Sequence, residues 1–354
     1  MSRWIDTLCD VVGNGESACL VTVANIRGSA PREAGARMVV TPTATVGTIG
    51  GGQLEHECTR LAVERIRNCP EISGDSKLRT FPLGSRCGQC CGGVVDVLID
   101  HFSAVDAVWL TELRRLHDLR RPFVVAVGAN GGRALITADL TANEGISLSQ
   151  TDAAESRAHD LLADAGDVYW DGRSGQQIFY QRIAASDFHI AIFGAGHVGS
   201  ATVATLATLD SQIRWIDSRR NMFPTDLPRN VTSIESENPA REVAAMPPAS
   251  FYLVMTHSHP LDFEICDQVL NRRDALYCGL IGSRTKRRRF ENLMRKQGAT
   301  DEVIADLTCP IGLHGITGKR PQEIAIAVAA ELLQIRGLAA GNPVSSLADN
   351  VHVI

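Results

Sequence analysis

The sequence predicts a two-part α/β protein, and three observations at residues 189–217 carry most of that prediction. Residues 189–193 (HIAIF) form a largely apolar run of a buried strand's length. Gly194-Ala195-Gly196-His197-Val198-Gly199 follows at once, a G-x-G-x-x-G motif leading into a helical stretch over 200–209. A second strand over 213–216 then ends on Asp217. A glycine motif alone is weak. With a strand before it, a helix after it and an acid closing the next strand, it specifies a Rossmann βαβ unit. In such a unit the glycines permit the turn, close approach to a pyrophosphate, and helix–strand packing, and Asp217 is placed to read a ribose hydroxyl. Arg219 and Arg220 beside it favour an extra phosphate instead. Runs at 251–255 and 277–281 continue the pattern. The fold class expected is therefore an N-terminal α/β domain followed by a C-terminal Rossmann-like, doubly wound parallel sheet.

The composition fits that division. The chain has 354 residues, 44% hydrophobic and 21% charged, enough for two or three ordinary cores. Residues 1–120 are expected as the N-terminal domain, 121–186 as a connecting α/β region, 187–336 as the Rossmann-like domain and 337–354 as a tail. A net charge of −5 gives no global basic field for nucleic acid. Only Lys77, Lys286, Lys296 and Lys319 are lysine, so 31 of the 35 basic residues are arginine. Genomic base composition explains this more simply than a demand for bidentate anion contacts. The start, from Met1 to Asp6, lacks the basic-then-apolar pattern of a signal peptide. The apolar run 324–333 carries Glu331 and is too short to span a bilayer. The expectation is a soluble, cytoplasmic protein whose ten cysteines are reduced, with neither nucleic acid nor membrane as a partner.

Taken in order, residues 4–12 read as an amphipathic helix, 19–24 and 36–41 as strands, and 27–33 as a polar loop turned by Pro31. Gly50-Gly51-Gly52 then opens a helix whose apolar stripe is Leu54, Cys58, Leu61, Val63 and Ile66. Glycines at a helix start expose N–H groups where the dipole is positive, which suits phosphate. A plain tight turn explains the triplet equally well. Arg32 and Arg37 would add donors to the same anion. Residues 83–93 (LGSRCGQCCGG) hold three thiols, Cys87, Cys90 and Cys91, among four glycines. Outside secretory contexts this pattern reads as metal or thiol chemistry. The bland alternative is a turn with small buried thiols. Beyond it, 94–99 reads as a strand, 105–119 as a helix, and 123–127 with 134–137 as a hairpin turned at Asn130-Gly131. His159 reads as a surface helix residue.

In the Rossmann-like part, the loops after the strands collect polar residues where α/β sheets bind ligands. His257, His259 and Asp262 follow one strand. The His-x-His suits a metal, but a helix cap and a solvated histidine explain it more simply. Ser283, Arg284 and Lys286 at the next helix start are the better anion candidate. Cys309 and His314 lie in a glycine-rich loop, either a second ligand site or a packed terminal loop. Pro321 then suits the first position of a helix over 322–335.

Taken together, 28–35 (GSAPREAG), 47–55 (GTIGGGQLE), 88–93 (GQCCGG), 192–199 (IFGAGHVG), 256–262 (THSHPLD), 280–287 (LIGSRTKR) and 309–319 (CPIGLHGITGK) resemble the xanthine dehydrogenase accessory family, XdhC/CoxI. They occur in the family's order. The resemblance implies a chaperone that binds the molybdenum cofactor (molybdopterin) and protects it from oxidation. It implies cooperation with a cysteine desulfurase that installs the terminal sulfido ligand, and insertion into apo-xanthine dehydrogenase or a related molybdenum hydroxylase. It further implies a homodimer. Cys90 and Cys91 match the family's cysteine pair and are the implied metal ligands, with Gln89 beside them. Gly50, Gly51, Gly52, Gly194, Gly196, His197, Gly199, Asp217, Ser283 and Arg284 complete the expected cofactor-binding set, and the Rossmann site is also a candidate for a nucleotide. Cys87 departs from the family form, where an apolar residue is usual. Thiolates suit a soft, sulfur-ligated metal, and glycine-rich helix starts suit its phosphate. A carrier must let go, so a Kd on the order of micromolar, about −8 kcal/mol, is expected. No general acid–base pair stands out, in keeping with a carrier rather than a turnover enzyme. The competing readings are an NAD(P)-dependent oxidoreductase using His257 or His259 as acid–base, and a thiol redox sensor at Cys87 and Cys90.

Overall fold

The computed structural model describes residues 3–68, 75–84, 92–119, 121–138, 141–144, 152–163, 167–172, 177–184 and 186–339. The chain divides into two units, Met1–Ala185 and Ser186–Ile354.

The first unit runs α1 (Arg3–Gly13), β1 (Ala18–Arg27), β2 (Arg37–Val40), β3 (Thr45–Gly47), α2 (Gly52–Asn68), β4 (Ser76–Pro82), β5 (Val94–Phe102), α3 (Ala107–Asp118), β6 (Phe123–Gly128), β7 (Arg133–Ile136), β8 (Thr141–Glu144), α4 (Asp152–Leu162), β9 (Val168–Asp171) and β10 (Ile178–Ile183). These strands form two antiparallel sheets, in the orders β3-β2-β1-β5-β4 and β8-β7-β6-β10-β9. β1 is buried on both faces, so it reads as a continuous apolar run instead of an alternating one. Ala18, Leu20 and Ala24 face a core shared with α1, α3 and the second sheet. Cys19, Val21 and Val23 face the opposite way, under Leu54, Cys58, Ala62 and Ile66 of α2. On the far side of the second sheet, Val124, Ala126, Ile178 and Tyr180 pack against Ala158 and Leu161 of α4. His159 is exposed on that helix.

One buried cation joins the two sheets. Arg133 on β7 bonds Asp100 on β5 at 2.7 Å and Asp106, in the 3-10 turn before α3, at 2.7 Å. It also donates to the His101 carbonyl and lies 3.7 Å from the centroid of the Phe102 ring. All three charged side chains are buried.

The second unit runs β11 (His189–Phe193), α5 (His197–Leu206), β12 (Gln212–Asp217), β13 (Val231–Glu235), β14 (Phe251–Val254), α6 (His259–Arg272), β15 (Tyr277–Leu280), α7 (Arg284–Lys296), α8 (Asp301–Ala305), β16 (Leu307–Thr308) and α9 (Pro321–Ala339). The six strands are parallel, in the order β13-β12-β11-β14-β15-β16. Ala191, Phe193, Tyr252 and Val254 pack under α6 and α7 on one face. Ile190, Ile192, Phe251 and Leu253 pack with Val203 of α5 and Val328 of α9 on the other. This is the doubly wound Rossmann sheet expected. Helix α5 starts three residues before the expected 200 and stops at Leu206, because the side-chain amide of Asn230 takes the carbonyls of Ala207 (3.2 Å) and Ser211 (3.1 Å) as the chain leaves the helix.

Among the described residues no helix is long and apolar enough to cross a membrane. The described cysteines, Cys9, Cys19, Cys58, Cys266, Cys278 and Cys309, are unbridged and buried.

Replacing Arg133 by Met would leave Asp100 and Asp106 buried without their cation. Breaking a buried pair from one side costs about 3–5 kcal/mol. The denaturant midpoint of the first unit, followed by tryptophan emission, should fall accordingly. An unchanged midpoint would show that the network does not hold the two sheets together.

Candidate functional site

All six strands of the second unit point their carboxyl ends to one edge. The order reverses around β11, which has β12 on one side and β14 on the other, the switch point beside which α/β sheets bind ligands. Gly194, at φ +117°, lets the β11 loop run against the exit of β14, since a Cβ would collide with the Met255 carbonyl. A Cβ at Gly199 would strike the Gly194 carbonyl, so glycine there lets α5 sit close on its strand. The Trp215 indole locks the same carbonyl at 3.1 Å. Gly196 differs: it caps α5, and a Cβ there would meet nothing within 4 Å. The first turn of α5 begins at exposed His197, and the amides of a helix's first turn have no partner within the helix.

Asp217 sits at the end of β12, as expected, but both its oxygens are engaged. The Ala195 N–H donates to Oδ2 at 2.6 Å and the Arg219 N–H to Oδ1 at 2.9 Å. The Arg219 guanidinium forks onto both oxygens, at 3.0 and 2.8 Å. A ribose hydroxyl would have to displace Arg219. Burial by itself pushes the Asp217 carboxyl up, but the bonds from the Arg219 side chain and from the Ala195 and Arg219 amides outweigh it, holding the group below the usual carboxylate range. Arg220 is exposed, 4.0 Å from Glu235.

The next two loops are joined by one ion pair. Asp262 accepts from the Thr256 N–H (3.0 Å) and hydroxyl (2.7 Å), and from Lys286 at 2.7 Å. Lys286 also donates to the Ile281 carbonyl at 2.8 Å. Ser258 caps α6, so the cap expected of one histidine is the serine between His257 and His259, both exposed. Ser283 caps its own helix, accepting from the Lys286 N–H at 3.3 Å. Of the anion trio Ser283, Arg284 and Lys286, Arg284 keeps its charge in solvent. Among the described residues, no group of three or more His, Cys, Asp or Glu converges on a metal.

The loop after β16 is held from below by a residue that sequence reasoning missed. Glu331 on α9 accepts from the Tyr277 hydroxyl at 2.5 Å and from the Gly312 N–H at 2.8 Å. A single acid within the apolar run 324–333 was its signal. Burial pushes the Cys309 thiol up, and its Sγ lies 3.9 Å from the Ser283 carbonyl. His314 is exposed.

In the first unit, Gly50, Gly51 and Gly52 have φ of +123°, +72° and +62° and do cradle an anion, but that anion is Glu55. Its Oε2 accepts from the N–H groups of Ile49 and Gly51, both at 3.0 Å, and from the Thr48 hydroxyl at 2.6 Å. The phosphate expected there is thus replaced by a side chain reaching back one turn. Burial raises the Glu55 pKa, but the Thr48 hydroxyl and the loop amides bring it below the usual value. Arg32 and Arg37 do not converge on it either. Arg32 forks onto Glu33, while Arg37 is buried with its guanidinium 4.2 Å from the Trp4 ring centroid.

Cys87, Gln89, Cys90 and Cys91 lie outside the described residues. The base of their loop is closed by Leu83 N–H donating to the Gly93 carbonyl at 2.9 Å. A Cβ on Gly93 would collide with the Ser29 carbonyl, and one on Gly50 would lie 2.5 Å from Cγ of Pro31. Segments 28–35, 47–55 and 92–93, far apart in the chain, therefore meet.

The Asp217 arrangement has a pH signature. Its folded pKa lies below the unfolded value of about 3.9, so its stabilisation is full above that value and is lost as pH falls through the folded one. Asp217→Asn should destabilise the second unit by about 1.5–3 kcal/mol near neutral pH. In thermal melts across acid pH the gap between variant and wild type should close as pH falls below the usual carboxylate range. A gap that stays constant with pH would mean the charge of Asp217 carries none of the effect.

Comparison with known proteins now bears on the whole chain. The model of the XdhC Rossmann domain matches residues 190–332, and that of the XdhC and CoxI family matches residues 11–73. The uncharacterized protein YqeB of Escherichia coli (strain K12) is 34% identical over 155 residues, 43% of this chain. The chain spans only 28% of that relative's length. A crystal structure from Bacillus halodurans, described as a xanthine dehydrogenase, is similar at a TM-score of 0.67 and 22% identity, over 97% of each chain, which shows a shared fold. Two models of one family, matching in order and together spanning more than half of the residues, place the chain: it belongs to the XdhC and CoxI family.

Proposed function

We propose that this chain is an accessory factor for a xanthine dehydrogenase-type molybdenum hydroxylase. In this reading it binds the molybdenum cofactor, supports sulfuration of the cofactor by a cysteine desulfurase, and inserts the product into the apo-enzyme. Family membership supports the accessory role. The observation that carries the choice of carrier over enzyme is the state of the acids at the sheet edge. Asp217 is spent on Arg219 and the Ala195 amide, and Asp262 on Lys286 and Thr256. An NAD(P)-dependent oxidoreductase would need a free acid at the end of β12 to read the ribose. What the edge offers instead is amides and cations, which bind anions.

The donor set fits the phosphate end of such a cofactor. Two separate places on that edge suit a phosphate: the first turn of α5, with Gly196 open and His197 exposed, and the start of α7, with Arg284 exposed. Gly50, Gly51 and Gly52 are left out of the set because Glu55 fills them. The first unit carries the proposed soft donors for molybdenum, Cys90 and Cys91 with Gln89, a proposal independent of the anion donors on the second unit. When bound, the cofactor supplies a sulfur-ligated molybdenum whose redox chemistry belongs to the receiving enzyme. The work left to this chain is to hold, shield and release.

The test is molybdenum and pterin content after anaerobic purification from cells that make the cofactor, wild type beside Cys90→Ala/Cys91→Ala. Near-stoichiometric pterin in the wild type, lost in the variant, is expected. Pterin absent from both, with saturable NAD(P)H binding in its place, would replace this reading with the oxidoreductase.

A further inference from the structure

Helix α7 concentrates positive charge. Its sequence, RTKRRRFENLMRK, carries seven basic residues and one acid in thirteen positions, in a chain of net charge −5. At 100° per residue, Phe290 and Met294 mark the buried side. The opposite side, centred on Asn292, carries Arg284, Arg288, Arg289, Arg295 and Lys296, all exposed, and no acid.

The remaining charges of the helix are neutralised where they stand. Lys286 turns inward to Asp262, and Arg287 pairs with Glu291 at 2.7 Å. On the exposed face itself, Arg295 is the one cation of the five that is paired among the described residues, with Asp301 at 3.0 Å. Arg284, Arg288, Arg289 and Lys296 form no ion pair among the described residues.

At its start this distribution opposes the stability of the helix. The first turn of α7 has no acid, although a helix N-terminus favours negative charge. Arg284 and Arg288, at i,i+4, repel each other. Leu293, 42% exposed, adds an apolar group at the margin of the face. Arg284 at the positive end of the dipole, and its repulsion with Arg288, are what an external anion would relieve, whereas Lys296 in the last turn complements the dipole.

We propose that the exposed face of α7 is a docking surface for an acidic patch on another protein. The helix is about 20 Å long, which suits one side of an ordinary protein interface. Its cations are complementary to carboxylates, and Arg matches them in bidentate geometry. Nucleic acid fits less well. The protein as a whole is acidic, with a pI of about 6.1. The single aromatic residue of the helix, Phe290, is buried and offers no base a stacking surface. The proposal stands on α7 alone and goes beyond the cofactor-carrying reading.

The test titrates full-length protein into labelled poly-L-glutamate at low salt, with a single-stranded DNA of equal charge as the comparator. Wild type should bind the peptide saturably and more tightly than the DNA, weakening as salt rises. Arg288→Glu/Arg289→Glu/Lys296→Glu should lose about tenfold or more in affinity, with unchanged circular dichroism. The neutralising set Arg288→Gln/Arg289→Gln/Lys296→Gln, which spares the fold any charge reversal, should fall between. Arg67→Glu/Arg79→Glu/Arg121→Glu makes the same change of net charge on exposed residues of the first unit, and should keep wild-type affinity. Equal loss in that control, an unaffected α7 variant, or tighter binding of the DNA would each overturn the proposal. The titration requires no cofactor, so its failure is separable from failure of the carrier reading.

Discussion

The carboxylate of Asp217 is the constraint from which the character of the Rossmann edge follows. It closes strand β12, takes the Ala195 amide of the glycine turn at 2.6 Å, and is forked by Arg219. A dinucleotide enzyme leaves that acid free for the ribose. Here it braces the turn from inside. Asp262 behaves alike one loop further on, tying Thr256 to Lys286 and so the exit of β14 to the exit of β15. With both acids spent, the edge is a stiff, donor-rich rim. Such a rim can grip an anion without moving a proton, which is the demand made of a carrier.

Glu55 expresses the same physics in the first unit. In a turn of three positive-φ glycines the amides of Ile49 and Gly51 aim at one point, and Glu55, one turn along, fills it. The turn is thereby fixed, and around it the 28–35 loop and the base of the cysteine loop pack closely. Glycine at Gly93 and Gly50 is required by these contacts. Below them, Arg133 holds the second sheet to the first through Asp100 and Asp106.

The Rossmann unit was legible because its signals are local: a buried parallel strand reads as an apolar run, and the glycine motif sits between strand and helix. The start of α5 was misjudged by three residues because its cap, Gly196, has no side chain to announce it. Long-range geometry was not legible. That Arg133 would meet acids some thirty positions away depends on how two sheets face each other. Arg32 and Arg37 looked like partners in sequence, yet one lies along the surface on Glu33 and the other is buried against Trp4. Glu55 did leave a trace, standing three residues after Gly52 where a capping carboxylate reaches back. The glycines drew attention to phosphate instead.

The most direct test of the carrier account is to mix cofactor-loaded protein with apo-hydroxylase under anaerobic conditions, separate the two, and measure pterin on each alongside hydroxylase activity and NAD(P)H. The account predicts that pterin leaves this chain as it appears on the hydroxylase, that activity rises in step, and that no NAD(P)H is consumed. Pterin retained on this chain while it oxidises NAD(P)H unaided would contradict it.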